Sequence, residues 1–215
     1  MKKSVVVAVA VLVVASGALL LHPKVQFVVG GALVNLGFRM QDHLQAFDLE
    51  HGEHLVPDEV YHRVLEQNKL AADVRVKFPR TPRHPLVAMV VCMDARIDTE
   101  ELVGDTRKYY YVIRTAGSAL ADKELEMLEL AVANGVETIL LTTHSDCAAE
   151  KAAKDPALRA KYPHLVDALD HRAEVDRSLI ARPLIAQRIA EGKLAVKFMH
   201  VDTATDKLTE IAGAR

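Results

Sequence analysis

Four short apolar runs rich in valine, isoleucine and tyrosine constrain this chain more than any other feature. They are Leu86–Val91, Tyr109–Ile113, Thr138–Thr142 and Leu194–Val201. Runs of this length and composition read as buried strands. Helix-length stretches separate the later ones. Asp122–Ala133 places Leu125, Leu128 and Val132 on one stripe and stops at Gly135, while Leu165–Ile180 and Pro183–Ala190 follow, the last ending near Gly192. Alternation of strand and helix predicts an α/β fold with a mainly parallel, four-stranded core sheet flanked by helices. Upstream, Pro57–Lys69 reads as a helix, with Pro57 suited to its first turn. Phe78–Pro85 holds three prolines and reads as a loop.

Composition narrows the function classes. Half of the 215 residues are hydrophobic and 26% are charged, which is ordinary globular usage. A net charge of −2 argues against nucleic acid as a partner, because phosphate binding needs a basic face. Two cysteines exclude a disulfide-rich scaffold.

The amino terminus predicts a leader. Lys2 and Lys3 precede an uncharged run from Ser4 to Leu21. Its length fits either a cleaved signal peptide, with Ala15-Ser16-Gly17 at the cleavage site, or an uncleaved membrane anchor helix. A buried helix of a soluble protein would normally carry a polar stripe. The two lysines would hold the amino end in the cytoplasm and place the remainder outside, in an exported, periplasmic or extracytoplasmic location. A second apolar stretch, Val25–Phe38, is too short to span a bilayer alone. The expected organisation is a leader or anchor over 1–21, a connecting segment over 22–55 and a metal-binding domain over 56–215.

Two motifs carry chemistry. Cys92-Met93-Asp94-Ala95-Arg96 follows the first strand. If the chain stays extended, Cys92, Asp94 and Arg96 point to one side. His144-Ser145-Asp146-Cys147 follows the third strand, and a helical turn would put His144 and Cys147 on one face. Open α/β sheets place ligand sites outside the carboxyl ends of strands. Cys92, His144 and Cys147 form a Cys₂His set, which zinc accepts while keeping a fourth position open for catalysis. Other readings are buried apolar thiols, a Cys92–Cys147 disulfide, a plain Asp94–Arg96 ion pair and a core histidine at position 144.

The pattern Cys-x-Asp-x-Arg, then about fifty residues, then His-x-x-Cys resembles the β-class carbonic anhydrases. Val112-Ile113-Arg114-Thr115-Ala116-Gly117, Glu100-Glu101-Leu102, Gly192-Lys193-Leu194 and Asp202–Leu208 are similar to further family segments. The similarity covers roughly Val56 to Ile211. It implies zinc, one ion per chain, on Cys92, His144 and Cys147, with Asp94 and Arg96 as a catalytic dyad and Gly117 at the substrate pocket. It implies reversible hydration of carbon dioxide to bicarbonate and a proton by attack of zinc-bound hydroxide. It also implies a homodimer or higher even oligomer, with Pro57–Lys69 in an arm that wraps the partner. Asp94 rotating onto zinc would give a closed state. Related zinc hydrolysis of carbonyl sulfide or carbon disulfide is the competing activity, and an inactive zinc-binding protein tethered at the membrane is a third reading. Thr115, Ala148 and Ala95 stand where the family commonly has Asn, Gly and Ser. His164, His171 and His200 are proton-exit candidates by residue type.

Overall fold

The structure is a computed structural model that describes residues 21–44, 47, 49, 55–79 and 82–211. The chain divides into two compact units, 1–80 and 81–215. The leader expected over 1–21 lies outside the described residues except for Leu21.

In the first unit, α1 spans Pro23–Asp42 and α2 spans Pro57–Lys77. Each has proline in its first turn, where a missing N–H costs nothing. His22 caps α1 by accepting from the Lys24 amide at 3.3 Å. α2 carries Asp58 and Glu59 in its first turn and Arg75 and Lys77 in its last, which suits the helix dipole. It runs beyond the expected Lys69 because 70–77 holds no breaker. The apolar stretch Val25–Phe38 lies within α1. No helix among the described residues is long and apolar enough to cross a membrane.

In the second unit, one sheet has strand order β2-β1-β3-β4-β5. The strands are β1 Val87–Cys92, β2 Tyr110–Thr115, β3 Thr138–His144, β4 Ala195–Asp202 and β5 Lys207–Glu210. The first four pair in parallel, and β5 pairs antiparallel to β4. Among the described residues the sheet therefore has five strands, not the expected four. β5 is a short edge strand with mostly exposed residues, so no apolar run marks it.

Among the described residues, seven α-helices of the second unit connect the strands. They are α3 Thr99–Val103, α4 Asp122–Ala133, α5 Ala148–Lys154, α6 Pro156–Lys161, α7 Pro163–Asp170, α8 Arg172–Ala181 and α9 Pro183–Ala190. Side-chain caps fix two starts. Asp98 accepts from the amides of Glu100 and Glu101, and Asp155 from those of Ala157 and Leu158. The helix expected over 165–180 is broken at His171, whose amide bonds back to the Asp167 carbonyl while its own carbonyl starts α8.

Two apolar layers cover the sheet. On one face, Ala88, Val90, Ile139 and Leu141 pack against Leu125, Leu128 and Val132 of α4, Leu179 of α8 and Ile185 of α9. On the other, Met89, Val91 and Cys92 pack with Ile97 and Cys147. Burying one such leucine stabilises the fold by about 1.5–3 kcal/mol. β1 has β2 on one side and β3 on the other, so the strand order reverses at β1. Cys92 ends β1 and His144 ends β3, beside that reversal, where open α/β sheets leave a crevice.

Candidate metal centre

Cys92, His144 and Cys147 converge. All three are buried, and their ligand atoms lie within 4.8 Å of one another. Both cysteines are free thiols. No extended strand and no single helix face produces this arrangement, contrary to the sequence expectation. β3 stops at His144, Asp146 takes a left-handed φ of 60°, and Cys147 becomes the N-cap of α5. The turn at Ser145-Asp146 swings Cys147 back toward His144.

The first motif also turns. β1 ends at Cys92, and the Ile97 amide donates to the Asp94 carbonyl at 3.1 Å, closing a tight turn. The Arg96 side chain thereby folds back onto Asp94. Its Nε donates to Asp94 Oδ1 at 3.0 Å and its Nη2 to Oδ2 at 2.8 Å, while the Arg96 amide adds a third bond to Oδ1 at 3.0 Å. These bonds hold the Asp94 carboxyl well below the usual carboxylate range, with the Arg96 side-chain bonds the largest cause. Of the two arrangements open to Asp94, the structure adopts the one paired to Arg96. The Asp94 side chain is 12% exposed and that of Arg96 46%, so the carboxylate sits inside while the guanidinium reaches solvent.

The donor set fits zinc. His144 Nδ1 lies 3.0 Å from the Ser145 carbonyl oxygen. A carbonyl only accepts, so Nδ1 carries the proton and Nε2 presents a lone pair. That Nε2 is buried without a hydrogen-bond partner. A buried orphan acceptor beside two thiols is costly unless an ion completes it. Burial pushes the Cys147 thiol above its ordinary pKa, nearby Cys92 adds to this, and the amides of Glu150 and Ala149 oppose it. A cation would reverse that balance, since a coordinating thiol loses its proton.

Several residues beyond the ligands and the Asp94–Arg96 pair support the centre. The Gly117 amide donates to Cys92 Sγ at 3.2 Å. Gly117 has φ +62°, and a Cβ there would run into Leu169 Cδ2. Gly117→Ala is therefore expected to cost about 2 kcal/mol or more in urea unfolding, from backbone strain and overpacking together. An unchanged unfolding midpoint would contradict this packing. Arg114 on β2 donates through Nη2 to the carbonyls of Asp94 and Ile97, each at 2.8 Å, and through Nε to that of Cys92 at 3.3 Å. It clamps the loop that carries Cys92, Asp94 and Arg96. Asp146 accepts Arg96 Nη2 at its main-chain oxygen, 3.1 Å away, and Arg96 Nη1 at Oδ2, 3.4 Å away. Lys151 also pairs with Asp146 and keeps its carboxyl below the usual range. Arg114 was visible as part of a matching segment, and Asp146 as the residue before Cys147. Neither spacing announced the cross-links, which span 17 to 22 positions for Arg114 and 50 for Asp146.

The three family departures lie close to this centre. Ala148 opens α5 and is exposed. Ala95 is also exposed. The Thr115 hydroxyl is buried and without a partner. The histidines named for proton exit do not join the metal-ligating group. His164 is exposed on α7, His171 bonds to the Asp167 carbonyl, and His200 on β4 pairs with Thr143 at 3.0 Å.

Comparison with known proteins gives a consistent picture. The family model described as carbonic anhydrase matches residues 87–208. "Beta-carbonic anhydrase 1" of Mycobacterium bovis is 26% identical over 140 residues, covering 58% of this chain and 81% of that protein. A carbonic anhydrase from Streptococcus mutans superposes with a TM-score of 0.54 at 21% identity, over 70% of this chain and 96% of the other. A tetrameric β-carbonic anhydrase from Sordaria macrospora superposes with a TM-score of 0.54 at 17% identity, over 72% and 98%. The two superpositions establish a shared fold, and the matched residues contain both motifs. The chain belongs to the β-class carbonic anhydrase family.

Proposed function

We propose that the protein is a zinc enzyme that hydrates carbon dioxide reversibly to bicarbonate and a proton. The observation that carries this reading is the buried Cys92–His144–Cys147 cluster, with its orphaned His144 Nε2, in a chain whose Asp94 is locked onto Arg96. Zinc, when bound, supplies a Lewis acid that acidifies water and so provides a nucleophile for the carbon of carbon dioxide near neutral pH. Cys92, His144 and Cys147 would hold it. Asp94, kept ionised, accepts the hydrogen bond that aims the nucleophile's lone pair. Arg96 fixes that carboxylate through two parallel bonds, a geometry that lysine cannot copy.

The thiolates of Cys92 and Cys147 together offset the formal charge of a divalent ion. Water there should be acidified less than in an all-histidine site. Stopped-flow hydration assays should therefore show kcat rising toward alkaline pH. Asp94 adds no loss in this range, because its depressed pKa keeps it charged throughout. Zinc affinity should also rise with pH, since the raised Cys147 thiol must release its proton to bind. A kcat that falls with increasing pH would contradict the account. Turnover of carbonyl sulfide or carbon disulfide without carbon dioxide hydration would assign the competing hydrolase activity.

Dimeric or higher even assembly and export are part of this reading. Export rests on Lys2-Lys3 followed by the uncharged run Ser4–Leu21, which also motivates a membrane tether if the leader stays uncleaved. Full-length protein recovered intact and soluble from the cytoplasm would contradict export.

A further inference from the structure

Arg172 opens α8 and makes two bonds from a single nitrogen. Its Nη1 donates to the Gly117 carbonyl at 2.8 Å and to Glu150 Oε1 at 2.8 Å. Both side chains are partly buried, with Arg172 23% exposed and Glu150 33%. The two acceptors belong to segments that support different sulfurs. Gly117 donates its own amide to Cys92 Sγ at 3.2 Å. Glu150 lies in the first turn of α5, the helix whose N-cap is Cys147.

We propose that Arg172 is a positioning residue for the metal centre, one guanidinium that ties the peptide donating to the Cys92 sulfur to the helix turn that begins at Cys147. Gly117 has no side chain to anchor it, and its left-handed backbone is held by contacts at its N–H, at its C=O and against Leu169. Fixing the carbonyl fixes the residue and therefore the direction of its N–H. Fixing Glu150 does the same for the first turn of α5. N–H donors spread the negative charge of a thiolate and hold the sulfur where the ion needs it. Arg172 and Glu150 do not belong to the ligand set themselves, so they act only through these peptides. The plain alternative is that the pair merely ties α5 to α8. A partly exposed ion pair of that kind contributes modestly to stability and nothing to metal affinity.

The test is zinc affinity of the full chain, measured by chelator competition. It is joined by the thiolate-to-metal charge-transfer band of the cobalt-substituted protein. Arg172→Met should raise the zinc Kd by about 10–100-fold and shift the band, the range typical for loss of a partner that orients metal ligands. Arg172→Lys keeps the charge and reaches one acceptor, so it should fall between. Arg159→Met is the control. It breaks the Arg159–Asp170 pair and the bond to the Ala153 carbonyl without touching Gly117, and should leave Kd and band unchanged. If Arg172→Met does not fold, Glu150→Gln carries the test, with a smaller rise in Kd and a band shift in the same direction. Folded variants with the wild-type Kd and band overturn the proposal, as does an equal loss in Arg159→Met. The inference rests on the zinc reading of the site. Wild-type protein that takes up no zinc would overturn that reading first, whereas zinc bound equally by wild type and variants would overturn only the role of Arg172.

Discussion

Asp94→Asn should lower kcat for carbon dioxide hydration by about 100-fold or more while zinc stays at one per chain, because positioned proton-accepting groups contribute about 10²–10⁴-fold. The substitution keeps shape and removes charge. Asp94 takes three hydrogen bonds from Arg96, one on the backbone amide and two on the guanidinium. An asparagine has one acceptor oxygen where two are used, so the side-chain fork is broken. Its NH₂ would face either the guanidinium or the reacting water, and neither arrangement leaves an ionised acceptor. Asp94 is not among the three clustered metal-ligating residues, so metal content should not follow activity. Metal analysis and stopped flow on the same sample separate the two effects. Full turnover in the variant would remove Asp94 from the mechanism. Parallel loss of zinc and activity would make it a structural residue instead.

The second large effect is expected at Cys147. Cys147→Ser should weaken zinc binding by about 10³-fold or more, since apparent zinc-binding free energies of about 10–16 kcal/mol are divided among few ligands. Hydration should fall with it to the uncatalysed rate. Serine is the informative choice because Cys147 sits at the N-cap of α5, where a hydroxyl is a good capping group. The helix should survive, and far-ultraviolet circular dichroism should match the wild type. Loss of zinc then reports on the ligand and not on the fold. Wild-type affinity in this variant would mean that the cluster of Cys92, His144 and Cys147 is not the metal site.

The parts of this protein that could be read from its sequence share one property: their cause is local. β1 and β3 are apolar and β-branched because both sheet faces are covered. α4 and α9 have the bounds that their apolar stripes and flanking residues indicate. The ligand triad is legible because zinc demands particular side chains at strand ends. Elements without an apolar stripe escaped. β5 reads Lys207-Leu208-Thr209-Glu210, and α5 reads Ala148 to Lys154 with one buried residue, so neither shows a period. The break at His171 escaped because the apolar pattern runs straight through it.

The site was incomplete for a similar reason. The extended chain expected from Cys92 to Arg96 is a turn, because the Asp94 carboxylate and carbonyl both capture amides two and three residues on. That turn brings Arg96 onto Asp94 and also onto Asp146. Arg114 and Arg172 serve the centre through main-chain carbonyls, which carry no residue identity that a sequence could display. A guanidinium whose partners are backbone oxygens on a distant loop becomes visible only once the fold brings them together.

The most direct test of the central claim is to titrate zinc into metal-free protein and follow carbon dioxide hydration by stopped flow at alkaline pH. The account predicts a rate that climbs with added zinc and breaks at one equivalent per chain. Hydration that is equally fast before any zinc is added, or one zinc tightly bound with no hydration at any pH, would contradict it.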